Sequence, residues 1–175
     1  MTRIPKIEKS HSPVSLTAMS DGDLVLLRAG LDVEMRKRKI AFSVGDVGER
    51  LVIEHFRKTP GLPKLQSAPR NTKNVDAISR DGERFSIKTR RSASKARKTG
   101  TIYQPEQDKD KQLFEYLLIV QLAEDWSLES IHQLAWADFV KVRSRDKRMT
   151  AWYVAISQRT LGAAKLIYQA PGKNA

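Results

Sequence analysis

An acid and an amine, Asp76 and Lys88, flank the Asp81-Gly82 turn in the stretch NVDAISRDGERFSIKTRR, residues 74–91. The stretch reads as two short strands joined by a tight turn, with the acid on the first strand and the lysine on the second. A carboxylate and an ammonium on one face of a β-hairpin are the groups that metal-assisted phosphodiester cleavage uses. The acid holds a divalent cation, and the lysine orients the attacking water or helps to deprotonate it.

That chemistry places a demand on register. Side chains alternate along a strand, so Arg84, Ser86, Lys88 and Arg90 share one face, and Phe85, Ile87 and Thr89 share the other. A two-residue Asp81-Gly82 loop sets Asp76 opposite Ile87, pointing away from Lys88. A loop of Arg80-Asp81-Gly82, with Gly82 left-handed at a bulge position, sets Asp76 opposite Ser86 and joins acid to amine. Gly82 adopts positive φ without steric cost. The chemistry therefore predicts the longer, bulged turn.

The chain has 175 residues, a length that suits one domain. Lys and Arg number 32 against 20 acids, for a formal charge of +12, which favours a polyanionic partner. No apolar run approaches the ~20 residues of a spanning helix. The opening MTRIPKIEKSHSPV lacks the apolar core of a signal peptide, so nucleic acid is favoured over a membrane surface. Absence of cysteine excludes disulfides and thiolate metal sites and suits a cytoplasmic protein.

Residues 1–19 read as a polar lead-in, followed by a single domain over 20–170. Ser20 and Asp23 resemble a capping box for a helix over 21–39, whose stripe is Leu24, Leu27, Leu31 and Met35. Ser43 and Asp46 repeat the pattern before a helix over 44–58, stopped by Thr59-Pro60-Gly61. Residues 92–111 read as loop-rich. FEYLLIVQL, residues 114–122, suits a central strand covered on both faces. A strand over 128–134, a helix over 136–142, a β-rich segment over 149–156 and a helix over 158–166 capped by Ser157 complete an α/β domain with a mixed sheet.

The helix carrying Gly48-Glu49, the hairpin with Asp76 and Ser86-Ile87-Lys88, and the apolar strand closing on Glu124-Asp125 together resemble the PD-(D/E)XK phosphodiesterase superfamily. The resemblance covers roughly residues 44–134. It is nearest to small bacterial proteins with a neutral residue at the second acidic position. It implies a restriction-endonuclease-like fold, a mixed central sheet flanked by helices, and a Mg²⁺-dependent DNA endonuclease in which Mn²⁺ can substitute. Asp76 corresponds to the metal-holding acid, Lys88 to the catalytic lysine and Glu49 to a helix-borne carboxylate. Val75 stands where the name-giving proline would be, and Ser86 where the second acid would be.

A hydroxyl is a weaker ligand for Mg²⁺ than a carboxylate. Some restriction enzymes of this fold recover the charge from a later element, and Glu106, Asp108 or Asp110 could do so here, with Glu106 the first choice. Ser86 is then left to hydrogen-bond a water of the ion or the scissile phosphate. The acid-free basic run contributes Arg84, Arg90, Arg91, Lys95, Arg97 and Lys98 as contacts to the DNA backbone.

Taken residue by residue, these groups also have plain readings. Asp76 can pair with an arginine, Lys88 can guard a strand edge, and Glu49 can favour a helix start. His11, His55 and His132 lack paired metal spacing and read as structural. Trp126, Trp136, Trp152 and Tyr153 read as core aromatics. Two other functions fit the sequence: a catalytically inactive DNA-binding module on the same fold, and a helix-turn-helix regulator built from the first two helices. A homodimer, with the helix over 21–39 as its interface, would suit cleavage of both strands.

Overall fold

The computed structural model describes residues 15–69, 71–94, 97–105, 108 and 111–172. Contacts divide the chain into two compact units, Met1–Ala41 and Phe42–Ala175. The first carries a short 3-10 turn, Leu16–Ala18, and helix α1, Asp21–Lys37. Ser20 Oγ accepts the Asp23 N–H at 3.2 Å, as the capping pattern predicts. The helix ends earlier than expected, because Lys39 turns to φ 53°. Among the described residues no helix is long and apolar enough to cross a membrane.

The second unit opens with α2, Val44–Lys58, whose boundaries match those read from the sequence. Ser43 and Asp46 form the reciprocal capping box. Gly48, Val52 and Phe56, spaced by four, bury one face of the helix. At its other end Lys64 Nζ donates to the carbonyls of Arg57 at 2.9 Å and Thr59 at 3.1 Å, filling acceptors that helix geometry leaves open.

Five further strands surround β3, Arg84–Arg91, in a six-stranded sheet of order β1-β2-β3-β5-β6-β9. They are β1 Leu65–Ser67, β2 Ala77–Ser79, β5 Tyr116–Leu122, β6 Leu128–Ala135 and β9 Lys165–Gln169. Only β3 and β5 run parallel, with Lys88 beside Ile119, so the sheet is mixed and the chain is α/β. A second sheet of order β4-β8-β7 comprises β4 Ile102–Tyr103, β7 Arg143–Asp146 and β8 Ala151–Val154. Helices α3, Trp136–Val142, and α4, Gln158–Ala163, complete the unit.

Two apolar clusters explain the layering. Val52 and Phe56 of α2 pack on Phe85, Ile87, Leu118 and Val120 on one face of the main sheet. Leu117, Ile119 and Leu134 on the other face meet Ile102, Phe139 and Val154 from the small sheet and α3. β5 feeds both clusters, as a strand buried on both sides must.

Four strands escape the sequence pattern: β1, β4, β7 and β9. The basic segment after α3 forms β7, and the last helix stops at Ala163 to let β9 form. These strands are short and lie at sheet margins or in the small sheet, so pairing rather than apolar alternation defines them.

Two hairpins share one turn. Ser79 N–H donates to Glu83 O at 2.9 Å and Gly82 N–H to Ser79 O at 3.1 Å, with Gly82 at φ 86°. Between β5 and β6, Ala123 N–H donates to Ser127 O at 2.9 Å and Trp126 N–H to Ala123 O at 3.1 Å, with Trp126 at φ 68°. The second turn puts a tryptophan where the first has glycine, at a cost of about 1–2 kcal/mol for an L residue.

Candidate active site

The first hairpin has the register that joins acid to amine. Ala77 pairs with Phe85 and Ile78 with Arg84, so Arg80-Asp81-Gly82 is the loop and Asp76 falls opposite Ser86. Asp76 N–H donates to Phe85 O at 2.8 Å. The Asp76 carboxylate then gathers three donors on one oxygen. Oδ2 accepts the Ile87 N–H at 2.6 Å, lies 3.3 Å from Lys88 Nζ and receives a long contact of 3.4 Å from Ser86 Oγ. The side chains of Lys88 and Asp76 keep 18% and 21% of their surface exposed, enough to meet a ligand while partly shielded from water.

Glu49 enters through the close approach of α2 to β3. A Cβ on Gly48 would stand 2.6 Å from Thr89 Cβ, so only glycine lets the helix lie this near the strand. The next residue is Glu49. Burial, and then the negative charge of Asp76, push its carboxyl up to about 6, while Lys88 pulls it back. Two carboxylates and an ammonium therefore share one electrostatic neighbourhood.

Ser86 is fully buried. Its hydroxyl lies toward Asp76, 3.4 Å from Oδ2. Asp108 lies in the loop after β4, where its carbonyl accepts the Lys111 N–H at 2.9 Å. Glu106 and Asp110 fall outside the described residues.

Other residues frame the site, and the sequence reading missed them. Gly100 lies against the Lys88 stem, where a Cβ would stand 3.7 Å from Lys88 Cδ. Asn74, at φ 59°, donates from Nδ2 to Tyr103 O at 2.8 Å and ties the approach to Asp76 to β4. The half-exposed Tyr103 ring has Lys73 Nζ 5.9 Å from its centroid. Asn74 offered a signal, since asparagine is among the few residues that accept left-handed backbone.

The basic run does not form one stripe. Arg84 is held by Glu115, with Nη2 to Oε1 at 2.8 Å and Nε to Oε2 at 3.1 Å, and this pairing keeps the Glu115 carboxyl below its usual range. Arg84 is therefore engaged by a carboxylate from the segment before β5. Arg90 Nη2 donates to Ser94 O at 3.0 Å, and Arg91 Nη2 to Glu124 O at 3.0 Å. Arg97 is exposed, and Lys98 lies 3.8 Å from Asp146 and 4.8 Å from the Tyr153 ring centroid. Lys95 lies outside the described residues.

His55 and His132 both titrate below the usual range because burial disfavours their charged forms, and His55 lies 4.7 Å from the Tyr168 ring. His11 is outside the described residues. Trp136 and Trp152 pack against the cluster of the small sheet and α3, as expected of core aromatics.

Hard oxygen donors are what Mg²⁺ prefers, and one or two carboxylates suffice when waters and substrate phosphate complete its shell. Asp76 and Glu49 offer that set, and the upward shift of Glu49, due first to burial and then to the charge of Asp76, includes a repulsion that a cation would relieve. Among the described residues no group of three or more Asp, Glu, His or Cys converges, so these two carry the fit. A scan against protein-family models finds no match for this chain, and a search of curated proteins finds none either.

Proposed function

We propose that this protein is a Mg²⁺-dependent DNA endonuclease of restriction-endonuclease-like fold, in the PD-(D/E)XK superfamily. The observation that carries the reading is the 3.3 Å approach of Lys88 Nζ to Asp76 Oδ2, made by a turn whose length sets the register. The mixed sheet with α2 across β3 supports it. So does the formal charge of +12.

Asp76 and Glu49 would hold the ion. When bound, Mg²⁺ supplies Lewis-acid polarisation of the scissile phosphate. Lys88 positions the attacking water and offsets negative charge as the phosphorane forms. The water oxygen bonds to phosphorus and gives up a proton to solvent, while the bond to the leaving oxygen breaks and that oxygen takes a proton from solvent. The backbone N–H of Ile87 and the buried Ser86 hydroxyl fix Asp76, so the acid does not turn away between turnovers. Arg90, Arg91, Arg97 and Lys98 supply cationic groups near the strand end.

Plasmid incubated with Mg²⁺ or Mn²⁺ tests this. Nicking by the wild type, abolished by EDTA and lost in Lys88→Ala and Asp76→Asn, is the expected result. Cleavage unaffected by both substitutions sinks it. A second reading, a DNA-binding module without catalysis, draws on Ser86 at the second acidic position, buried and neutral. Binding to plasmid with no metal-dependent nicking is its signature.

A further inference from the structure

Trp126 occupies a turn position that the equivalent hairpin gives to glycine, and its ring does not vanish into the core. One part packs against the cluster beneath α2, and the residue remains partly exposed. The Phe42 ring stacks on it with centroids 4.6 Å apart and planes 28° apart, and Phe42 is itself 51% exposed. The Arg91 guanidinium lies 5.0 Å from the Trp126 centroid, anchored by its bond to Glu124 O. Strained backbone held by surrounding structure clusters at functional sites. Here the strain presents an aromatic pair backed by a cation.

From this arrangement we infer that Phe42, Trp126 and Arg91 form a stacking platform for an unpaired nucleobase. It rests on the nuclease reading and names the form of the substrate: single-stranded DNA, or a duplex with a displaced strand. Every base has a π face, so an exposed aromatic surface takes any of them, and a nearby arginine adds cation–π attraction. Paired bases hide their faces in the stack and cannot use the surface.

Position supports the assignment. Arg91 lies on the same strand as Lys88, three residues on, roughly 10 Å along it at the usual rise, and the odd step turns its side chain to the α2 face, the side from which Glu49 comes. That span is about three nucleotides at the rise of a stacked strand. Beside the platform is an open hollow of about 580 Å³ lined by Ser92, Ala93, Ala123, Glu124 and Asp125. Its two exposed acids repel phosphate, so the occupant of this corner is a base and the sugar–phosphate chain runs elsewhere.

The test is binding of the full chain, in EDTA so that no cleavage occurs, to a labelled 20-nucleotide single strand and to the matching duplex. The wild type prefers the single strand, and both Phe42→Ala and Phe42→Leu cut that preference tenfold or more. Single strand also quenches tryptophan fluorescence, and Trp126→Phe removes the quenching. Phe42 variants that leave the preference within twofold overturn the inference. Should they fail to fold, quenching that persists in Trp126→Phe overturns it instead. The two readings fail separately. Absent metal-dependent cleavage with the single-strand preference intact removes only the nuclease, whereas cleavage with silent Phe42 variants removes only the platform.

Discussion

Gly48 lies so close to Thr89 that a Cβ at position 48 would stand 2.6 Å from the Thr89 Cβ. Helix α2 and strand β3 touch backbone to side chain at this point, and Glu49 is the next residue along the helix. The separation between helix and sheet is therefore also what brings the second carboxylate to Asp76. Gly48→Ala should push α2 outward, destabilise the fold by about 1–3 kcal/mol and reduce cleavage. The double substitution with Thr89→Gly, which removes the opposing Cβ, should recover most of the loss in urea denaturation. Independent effects of the two changes would contradict this.

Glu49 carries a pH signature. Its folded pKa of about 6 lies above the 4.5 of an unperturbed glutamate, so the folded chain binds the extra proton between those values. Stability from this group is fully present below pH 4.5 and is lost as pH rises through 6. Glu49→Gln should therefore raise the melting temperature at pH 8 and leave it nearly unchanged at pH 4.5, while lowering Mg²⁺-dependent cleavage. An equal shift at both pH values would exclude ionisation as the cause.

The histidines work with the opposite sign. Burial holds His55 and His132 below 6.5, and the Nδ1 of His132 is buried without a hydrogen-bond partner. Stability is fully present above pH 6.5 and is lost as pH falls through the lowered folded values. Melting temperatures of the Glu49→Gln chain, free of the opposing carboxyl, should fall below pH 6.5. His132→Leu should flatten that slope.

Asp76 has a structural duty that Asn can share and Ala cannot. The Ile87 N–H donates to its carboxylate at 2.6 Å, and Ile87 is buried. Asp76→Ala should cost about 1–3 kcal/mol through the orphaned donor. Asp76→Asn should fold normally and be inactive, which separates loss of chemistry from loss of structure by denaturation and cleavage run in parallel.

Arg84 and Arg97 sit in the same basic run but should behave differently. Arg84 is engaged by Glu115, and its removal should cost about 1 kcal/mol of stability with little effect on the salt dependence of DNA binding. Exposed Arg97 should do the reverse. Arg97→Ala is expected to reduce the salt slope by about 1 without altering stability.

How much of this was legible depends on where each signal lives. The Asp81-Gly82 turn, the capping box of Ser43 and Asp46, and the unbroken apolar run of β5 are local patterns, and each matches the structure closely. The pairing of Asp76 with Lys88 was legible because parity along a strand is arithmetic. Strands β1, β4, β7 and β9 were not, since a few residues at a margin take their order from the neighbour they pair with. The bond between Arg84 and Glu115 joins residues far apart in sequence, and no local pattern announces it. Trp126 packs against the core as its type suggests, but its left-handed turn position gave no signal, because glycine is the ordinary mark of such a turn.

The three-residue loop of the first hairpin works as a parity switch. With that loop kept, deleting Ile78 alone would leave Asp76, Ser86, Lys88 and Glu49 all in the sequence, yet Asp76 would fall opposite Phe85 and turn to the far side of the sheet. The meeting of acid and amine is thus encoded in whether a count is odd or even, as well as in side-chain identity. A single in-frame codon loss would part the two while every chemical group remains.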